Sequence, residues 1–200
     1  MKIEEIGIII LAAGASSRMG VSKQMLPING IPLLSRTIQT ALDANFSTIL
    51  VVLGSNADEH RIAANEFPVT TLYNSEWQKG IGTSIRAGIK HIKKDAAIRG
   101  AIILVCDQPT LSAAVLSDMV VKQHETQKPI VASRYANTLG VPALFSSSMF
   151  DELLLLEDGQ GAKKVIERNA SKVAAIEFAS GEIDLDTPEE YDTFIKNGIT

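Results

Sequence analysis

The feature that most constrains the fold is an alternation of short apolar runs, rich in Ile, Val and Leu, with longer amphipathic segments. Such an alternation is typical of a mainly parallel β-sheet whose two faces are covered by helices. The runs that we predict as strands are residues 7–11, 48–53, 70–73, 101–105, 130–132, 141–145, 173–176 and 183–185. A chain of 200 residues usually forms one domain. We therefore expect the α/β class: a single three-layer α/β/α domain over residues 1–200, built on a Rossmann-like sheet.

Apolar residues repeat at helical spacing in three of the segments between these runs. The repeats are Leu33, Leu34, Ile38, Ala41 and Leu42 in the first, Ile81, Ile85, Ile89 and Ile92 in the second, and Val115, Leu116, Met119 and Val120 in the third. A further helix is predicted near the end of the chain, where Thr187 and Glu190 form a capping box around Pro188. The side chains expected to face inward from it are Tyr191, Phe194 and Ile195.

Composition excludes several functional classes. The chain has 19 Lys and Arg against 23 Asp and Glu, a net charge of -4, so it lacks the basic excess of a nucleic-acid-binding protein. Its apolar runs fall short of the ~20 residues that a membrane span needs. Cys106 is the only cysteine, which excludes an intrachain disulfide and is compatible with a reducing compartment. We expect a cytoplasmic protein with neither nucleic-acid nor membrane partners.

The stretch LAAGASSRMGVSK, residues 11–23, follows the first predicted strand. In open α/β sheets, ligands bind beyond the carboxyl ends of the strands, where this loop is expected. It contains glycines that permit unusual backbone angles, hydroxyl donors and two cations: Gly14, Gly20, Ser16, Ser17, Arg18 and Lys23. Arg18 offers a planar fork for bidentate phosphate contact, and Lys23 offers a mobile point charge. The loop suits an anion; the alternative is a plain surface loop with solvated cations.

Two common phosphate-binding motifs do not match this loop. A Walker loop needs G-x-x-x-x-G-K-[ST], whereas Gly20 is followed here by Val21. The dinucleotide fingerprint needs G-x-G-x-x-G, whereas Gly14 is followed by Ala15 and Ser16. An anion-binding role for the loop therefore belongs to another class of site.

Acidic residues provide candidate ligands for a metal ion. Asp107 follows the predicted strand 101–105 and should emerge at the same sheet edge as the loop. Asp184 and Asp186 alternate in a predicted strand just before the capped helix. Mg²⁺ is typically held by one or two carboxylates together with substrate phosphates. Asp107 and one of the other two therefore form a candidate Mg²⁺ site; alternatively, Asp107 is a turn residue and Asp186 supports the helix start.

The motif in residues 11–23 resembles L-[AG]-[AG]-G-x-x-x-R-[MF]-G-x-x-K of the MobA-like nucleotidyltransferases. Membership would imply the nucleotide-diphospho-sugar transferase type of α/β fold. It would also imply that the backbone of Leu11, Ala12, Ala13 and Gly14 faces the nucleotide base. In the family the Arg holds the β and γ phosphates and the Lys reaches the α phosphate, roles that fall to Arg18 and Lys23.

Other segments resemble the molybdenum cofactor cytidylyltransferase branch of this family. CDQP and DLDTP match its acidic motifs, which implies Asp107 as the magnesium ligand, with Asp186 as the second ligand in our assignment. The segment NSEWQKGIGTSIRAGI matches a nucleotide-contacting segment of the family. The match implies that the nucleotide is bound by Asn74, Gly80, Gly82 and Ser84. The segments GVPALF and LLLLEDGQGAKKVI match family segments that lie toward the acceptor substrate. The match implies that the acceptor is bound by Gly140, Pro142, Asp158 and Gly161. The family usually has Gly-Asp where this chain has Glu157 and Asp158.

The resemblance implies a Mg²⁺-dependent transfer of CMP from CTP to a molybdopterin-type cofactor, with release of pyrophosphate and possible handover of the product to a molybdoenzyme. Lys23, Arg18 and Asp107 would be the catalytic residues. No protein nucleophile is needed, because the acceptor phosphate is already anionic. Alternatives are guanylyl transfer from GTP to the same cofactor, CMP transfer to a sugar or polyol phosphate, and a non-catalytic cofactor carrier.

The remaining polar and aromatic candidates have simpler interpretations. His60, His91 and His124 show no metal-site spacing, so we predict surface or partly packed side chains. Cys106 lies in an apolar segment and is expected to behave as a small apolar residue. Trp77 either packs or stacks on a flat ring, and Arg134 is either an ordinary solvated side chain or a contact for an acceptor phosphate.

Overall fold

The computed structural model describes residues 1–197, and its strands and helices alternate along most of the chain. The strands are β1 Ile6–Ala12, β2 Pro27–Ile28, β3 Ile31–Pro32, β4 Thr48–Leu53, β5 Thr70–Tyr73, β6 Gly100–Val105, β7 Ile130–Tyr135, β8 Thr138–Ser146 and β9 Val173–Glu177. The α-helices are α1 Leu33–Asp43, α2 Ala57–Ala64, α3 Ile81–Ile92, α4 Ala113–Thr126, α5 Phe150–Leu154, α6 Lys163–Arg168 and α7 Pro188–Asn197.

The large sheet has the strand order β5-β4-β1-β6-β8-β7-β9. β1 lies in its interior and pairs in parallel with β4 and β6, whereas β8 is antiparallel to β6 and β7. The sheet is therefore mainly parallel, as predicted. β2 and β3 form a separate short hairpin between β1 and α1.

Helices cover both faces of the sheet. All seven residues of β1 are buried, as expected for a strand between two helical layers. Ile8 and Ile10 pack on one side with residues of α1 and α4, and Ile9 packs on the other side with residues of α3, α5 and α6. The alternation of side chains along a strand thus divides the core into two clusters. The three-layer α/β/α architecture predicted from the sequence is confirmed.

One predicted strand and one predicted packing face were wrong. Residues 183–185 form no strand; Leu185 donates a single backbone hydrogen bond, 3.1 Å long, to the carbonyl oxygen of Asp107. The segment is held mainly by the buried side chain of Leu185, which packs beside Phe194. The capping box before α7 is confirmed by the hydrogen bonds that Thr187 and Glu190 exchange. Ile195 faces outward and is 44% exposed.

The sheet brings the predicted site segments to one edge. Leu11 of β1 is paired with Val105 of β6, so the loops that follow the two strands leave the sheet side by side. α3 begins after the end of β5, which belongs to the same parallel group. Within residues 1–197, none of the helices combines the length and the apolar character that crossing a membrane requires.

Candidate active site

The loop between β1 and β2 contains one glycine with a left-handed backbone, Gly20. Gly20 has a φ of +72°, which makes use of the conformational freedom predicted for it. Ser16 also has a positive φ, of 53°. Gly14, which we expected to be able to adopt unusual backbone angles, does not have a positive φ. A Cβ at Gly14 would meet only Gln24 Nε2, at 4.0 Å. Gly14 instead leaves space beside the exposed edge of the loop.

Hydrogen bonds inside the loop use groups that we had predicted to be free for a ligand. The Ser16 hydroxyl donates to Gln24 Oε1 at 3.1 Å and accepts the Lys23 backbone N–H at 3.1 Å. Gln24 is only 2% exposed and donates from Nε2 to the carbonyl oxygen of Gly14 at 3.0 Å. Gln24 was missed in the sequence, where nothing but its position beside Lys23 marked it.

His60 was also misjudged. It is fully buried on α2, and its Nε2 lies 2.7 Å from the hydroxyl oxygen of Ser22 in the loop. His60 and Ala64 are four residues apart, so both face the core from the same side of the helix. Burial lowers the pKa of His60, with smaller opposing effects from the Ala12 carbonyl and Glu59.

The predicted cations and carboxylates meet at the sheet edge. Lys23 Nζ lies 2.5 Å from Asp107 Oδ2 and 2.8 Å from Asp186 Oδ1. Arg18 reaches the other oxygen of Asp186, with 2.7 Å between Nη2 and Oδ2. The Lys23 side chain is 17% exposed, whereas that of Arg18 is 69% exposed. Lys23 is therefore held within the cluster, and Arg18 extends from its rim.

The charges of this cluster shift the pKa values of its members. Burial lowers the pKa of Lys23, but the negative charges and hydrogen bonds of Asp107 and Asp186 outweigh this effect and raise it overall. Burial raises the pKa of Asp186, but Lys23 and Arg18 bring it below its ordinary value. The pKa of Asp184 is raised to about 6 by partial burial and by Asp107 and Asp186. At neutral pH, Lys23 is thus an ammonium between two carboxylates.

The donor set is suited to Mg²⁺. No group of three or more His, Cys, Asp and Glu side chains in residues 1–197 is arranged to hold a metal by itself. However, Asp107 and Asp186 direct one carboxylate oxygen each to the same ammonium group. Mg²⁺ commonly takes one or two carboxylates and fills its remaining positions with water and substrate phosphates. The pair Asp107 and Asp186 fits that requirement.

A cavity of about 290 Å³ lies beside this cluster. It is lined by Leu11, Ala13, Gly14, Ala15, Lys23, Gln24, Trp77, Gln78, Gly80, Ile81, Ser84, Val105, Cys106 and Asp107. Most of the predicted nucleotide-binding residues thus share one cavity with Lys23, whereas Arg18 is not among its lining residues. Ala12 is fully buried in β1, which leaves its side chain to the core.

Asn74 supports the cavity from behind. Its Nδ2 donates to the hydroxyls of Thr83, at 2.8 Å, and Ser84, at 3.0 Å, in the first turn of α3. Its Oδ1 accepts the backbone N–H of Glu76 at 3.0 Å. The amide of Asn74 is therefore used to fix the start of α3, next to the cavity wall that Ser84 forms.

Two predicted glycines are explained by a close approach of the chain to itself. The backbone N–H of Gly82 donates to the carbonyl oxygen of Asp158 at 2.8 Å. A Cβ at Gly80 would overlap that same oxygen, and a Cβ at Gly82 would overlap the carbonyl oxygen of Glu157. Arg86, which the sequence analysis missed, donates to the carbonyl of Leu156 and pairs with Asp158 at 2.5 Å. The turn at 157–160 is thereby fixed against the start of α3.

The predicted acceptor residues form two groups. Asp158 and Gly161 form the first group. Asp158 belongs to the turn against α3. A Cβ added to Gly161 would lie 3.9 Å from Ile81 Cγ2, in ordinary contact. Arg134 is at the end of β7 and pairs with Glu177 of β9 at 3.3 Å. The described residues show no hydrogen bond or ion pair between the two groups.

The second group consists of Arg134, Gly140 and Pro142, which lie in the β7–β8 hairpin. Gly140 permits the close approach of the Tyr135 hydroxyl, which donates to the carbonyl of Val141 at 3.0 Å. The carbonyl of Pro142 accepts the hydroxyl of Ser133 at 2.8 Å. Arg134 is 55% exposed in its side chain, so its guanidinium is accessible despite the ion pair.

Trp77 and Cys106 both line the cavity. Trp77 packs on Gly54, where a Cβ would be 2.6 Å from the Trp77 Cβ. The Cys106 thiol is buried and donates to the Leu11 carbonyl at 3.8 Å. Burial and the charge of Asp107 raise the pKa of Cys106 to about 12, so it is a thiol at neutral pH. The predicted apolar behaviour of Cys106 agrees with this environment.

The chain is similar to a protein family and to curated proteins over most of its length. The family profile of the MobA-like NTP transferase domain matches residues 8–173. Purine catabolism protein PucB of Bacillus subtilis (strain 168) is 30% identical over 195 residues, 92% of this chain and 93% of PucB. The molybdenum cofactor cytidylyltransferase of Escherichia coli (strain K12) is 26% identical over 189 residues, 94% of each chain.

Solved structures give the same result for the fold. Rv0371c from Mycobacterium tuberculosis H37Rv is 25% identical and superposes with a TM-score of 0.82, covering 98% of this chain and 100% of that one. A complex of Rv0371c with manganese has a TM-score of 0.76 at 24% identity, covering 97% of this chain and 100% of that one. The region matched by the family profile contains the loop, Asp107 and the start of α3, and it ends before Asp186.

Proposed function

The chain belongs to the MobA-like NTP transferase family and is a nucleotidyltransferase, and on that premise we propose that it transfers CMP from CTP to a molybdopterin-type cofactor in a Mg²⁺-dependent reaction. The products are a cytosine dinucleotide cofactor and pyrophosphate. The choice of CTP and of this acceptor is supported by the likeness to the molybdenum cofactor cytidylyltransferase of E. coli, which extends over 94% of the chain.

The observation that carries the proposal is the position of Lys23 between two carboxylates at the mouth of the cavity. An ammonium group has three N–H donors. Lys23 uses two of them, one for Asp107 and one for Asp186. One donor is left for a phosphate oxygen of a triphosphate whose base occupies the adjacent cavity. The raised pKa of Lys23 keeps this donor charged at neutral pH.

The residues of the site act by positioning and by neutralising charge. An oxygen of the acceptor phosphate attacks the α phosphorus in line; the new P–O bond forms as the bond to the bridging oxygen of the β phosphate breaks, and that electron pair leaves with pyrophosphate. Lys23 donates to the α phosphate, and Arg18 holds the β and γ phosphates from the exposed rim. Residues of the loop and of the start of α3 form walls of the cavity.

Asp107 and Asp186 are the residues that would hold Mg²⁺. When bound, the ion supplies Lewis-acid charge stabilisation on the phosphate oxygens. The manganese complex of Rv0371c supports a divalent metal in a protein of the same fold. Lys23 lies between the two carboxylates and balances their charge.

Pyrophosphate release tests the proposal. Wild-type protein is assayed with Mg²⁺ and a molybdopterin acceptor, and CTP is compared with GTP and ATP. We expect release with CTP and its loss in Asp107→Ala, with Asp192→Ala, on the exposed side of α7, as the matched control. Release with GTP would assign guanylyl transfer, and release with CTP only on a sugar or polyol phosphate would change the acceptor. A folded protein that binds the pterin and releases no pyrophosphate would be a carrier.

A further inference from the structure

His60 is a buried polar group outside the predicted active site. Its ring is fully buried beneath the loop, and Nδ1 has no hydrogen-bond partner in the described residues. Burying a polar group without a partner costs about 1–3 kcal/mol. An apolar side chain on this face of α2 would avoid that cost. The one hydrogen bond of the ring, to Ser22, therefore has to explain the presence of a histidine.

The hydrogen bonds in this region constrain one another's directions. The Gly14 carbonyl only accepts, so the NH₂ of Gln24 must face it and Gln24 Oε1 must face the two serines. That oxygen accepts the hydroxyl protons of Ser16 and Ser22, each at 3.1 Å. We assign the Ser22 proton to Gln24, so that His60 Nε2 carries the proton of its 2.7 Å bond to Ser22. In this assignment Nδ1 is the unprotonated nitrogen, and it makes no hydrogen bond in the described residues.

The resulting chain of hydrogen bonds, which we call the loop clamp, consists of His60, Ser22, Gln24 and Ser16. It joins α2 to both arms of the loop, because Gln24 bonds to Gly14 and Ser16 near the start and to Ser22 near the end. Lys23 lies between two members of the clamp in the chain, and its own N–H donates to a third, Ser16. The backbone of Lys23 is therefore fixed on both sides, and Nζ is directed to Asp107 and Asp186.

We propose that His60 and Gln24 are positioning residues for the transfer reaction, acting through Ser22 and Ser16 to hold Lys23 in the orientation that meets the α phosphate. This inference rests on the proposed function. His60 touches neither the cavity nor Lys23, so its effect on the reaction passes through the hydroxyl of Ser22. The donor nitrogen at Nε2, rather than the ring or its charge, is the required group.

Two substitutions at the same position separate the hydrogen bond from packing. His60→Leu fills the buried position with an apolar side chain and removes the Nε2 donor. His60→Gln places an amide nitrogen where Nε2 lies. We expect kcat to fall by about 10- to 100-fold in His60→Leu, the scale of a displaced catalytic group. His60→Gln should recover most of this loss. His124→Leu, an exposed position on α4, is the matched control and should retain wild-type kcat.

A second measurement does not depend on activity. The amide proton of Lys23 is bonded to Ser16 Oγ, so its hydrogen exchange reports the clamp directly. We expect this exchange to be at least about tenfold faster in His60→Leu than in wild type, and close to wild type in His60→Gln, since local opening sets the exchange rate. Ring ¹⁵N chemical shifts of wild-type protein should show the Nε2–H tautomer. If no substrate gives transfer, the proposed function fails while these measurements still test the clamp.

Specific results would overturn the inference. A lower melting temperature in His60→Leu with unchanged kcat and unchanged Lys23 exchange would make His60 a packing residue only. Equal losses in His60→Leu and His60→Gln would exclude the donor nitrogen as the cause. Ser22→Ala removes one hydroxyl from a partly buried loop position and serves where His60→Leu does not fold. Wild-type kcat and exchange in Ser22→Ala would equally refute the clamp.

Discussion

Gly54→Ala is the substitution whose effect can be worked out most directly from the packing. Gly54 is buried immediately after β4, between the Ala13 carbonyl and Trp77. An added Cβ would lie 2.6 Å from the Ala13 oxygen, 2.6 Å from Trp77 Cβ and 2.7 Å from Trp77 Cγ. Carbon atoms pack at about 3.5–4.0 Å, so Trp77 would have to move by roughly 1 Å. Ala13 and Trp77 both line the cavity, and its shape would change with them.

We expect this overpacking to destabilise the fold by about 1–3 kcal/mol. For a domain of this size each kcal/mol lowers the melting temperature by about 2–4 °C. Displacement of the cavity wall should also raise the KM for the nucleotide. Gly159→Ala is the matched control, because a Cβ there meets nothing within 4 Å. Thermal unfolding and steady-state kinetics measure both effects. A melting temperature and KM equal to those of Gly159→Ala would refute the argument that Gly54 sets the position of Trp77.

Three further predictions concern ionisable side chains. Lys23→Ala should lower turnover by about 10²- to 10³-fold, the usual scale for one preorganised electrostatic donor, and unchanged turnover in a folded variant would remove Lys23 from the reaction. Because burial lowers the pKa of His60 in the folded state, the unfolded state binds the proton more readily, so the free energy of unfolding should decrease as the pH falls below 6.5. His60→Gln should flatten this dependence in chemical denaturation and His124→Gln should not; equal slopes would contradict the assignment. The Cys106 thiol, with a pKa of about 12, should resist iodoacetamide at pH 8 until the protein is unfolded, and rapid labelling of native protein would show that it is accessible.

Local sequence patterns determined the elements of the fold. Apolar runs and helical repeats predicted seven of the eight proposed strands and the helices α1, α3 and α4 that pack on them, because burial on one or two faces leaves a periodic signal in the sequence. The exception, 183–185, contains the same alternating pattern as a strand but contributes only Leu185 to the core. A short pattern does not reveal whether a neighbouring strand is present to pair with it.

The site was predicted in its parts. Arg18, Lys23 and Asp107 were identified because each follows a predicted strand, and strand ends meet at one edge of a parallel sheet. Their motifs also supplied the family resemblance that the comparisons confirm. The predicted nucleotide and acceptor roles of the individual residues stay predictions.

The sequence by itself determined the class of fold, and it predicted the edge of the sheet at which the candidate site lies and the charged groups present there. Only the tertiary structure decided which of these groups touch. Lys23 and Asp186 are 163 residues apart in the chain, and His60 is 38 residues from Ser22. Contacts at such separations depend on strand order and loop conformation, for which no local period exists. The buried contact of His60 with Ser22, the close approach at Gly82 and the ammonium between two carboxylates therefore appear only when the chain is folded.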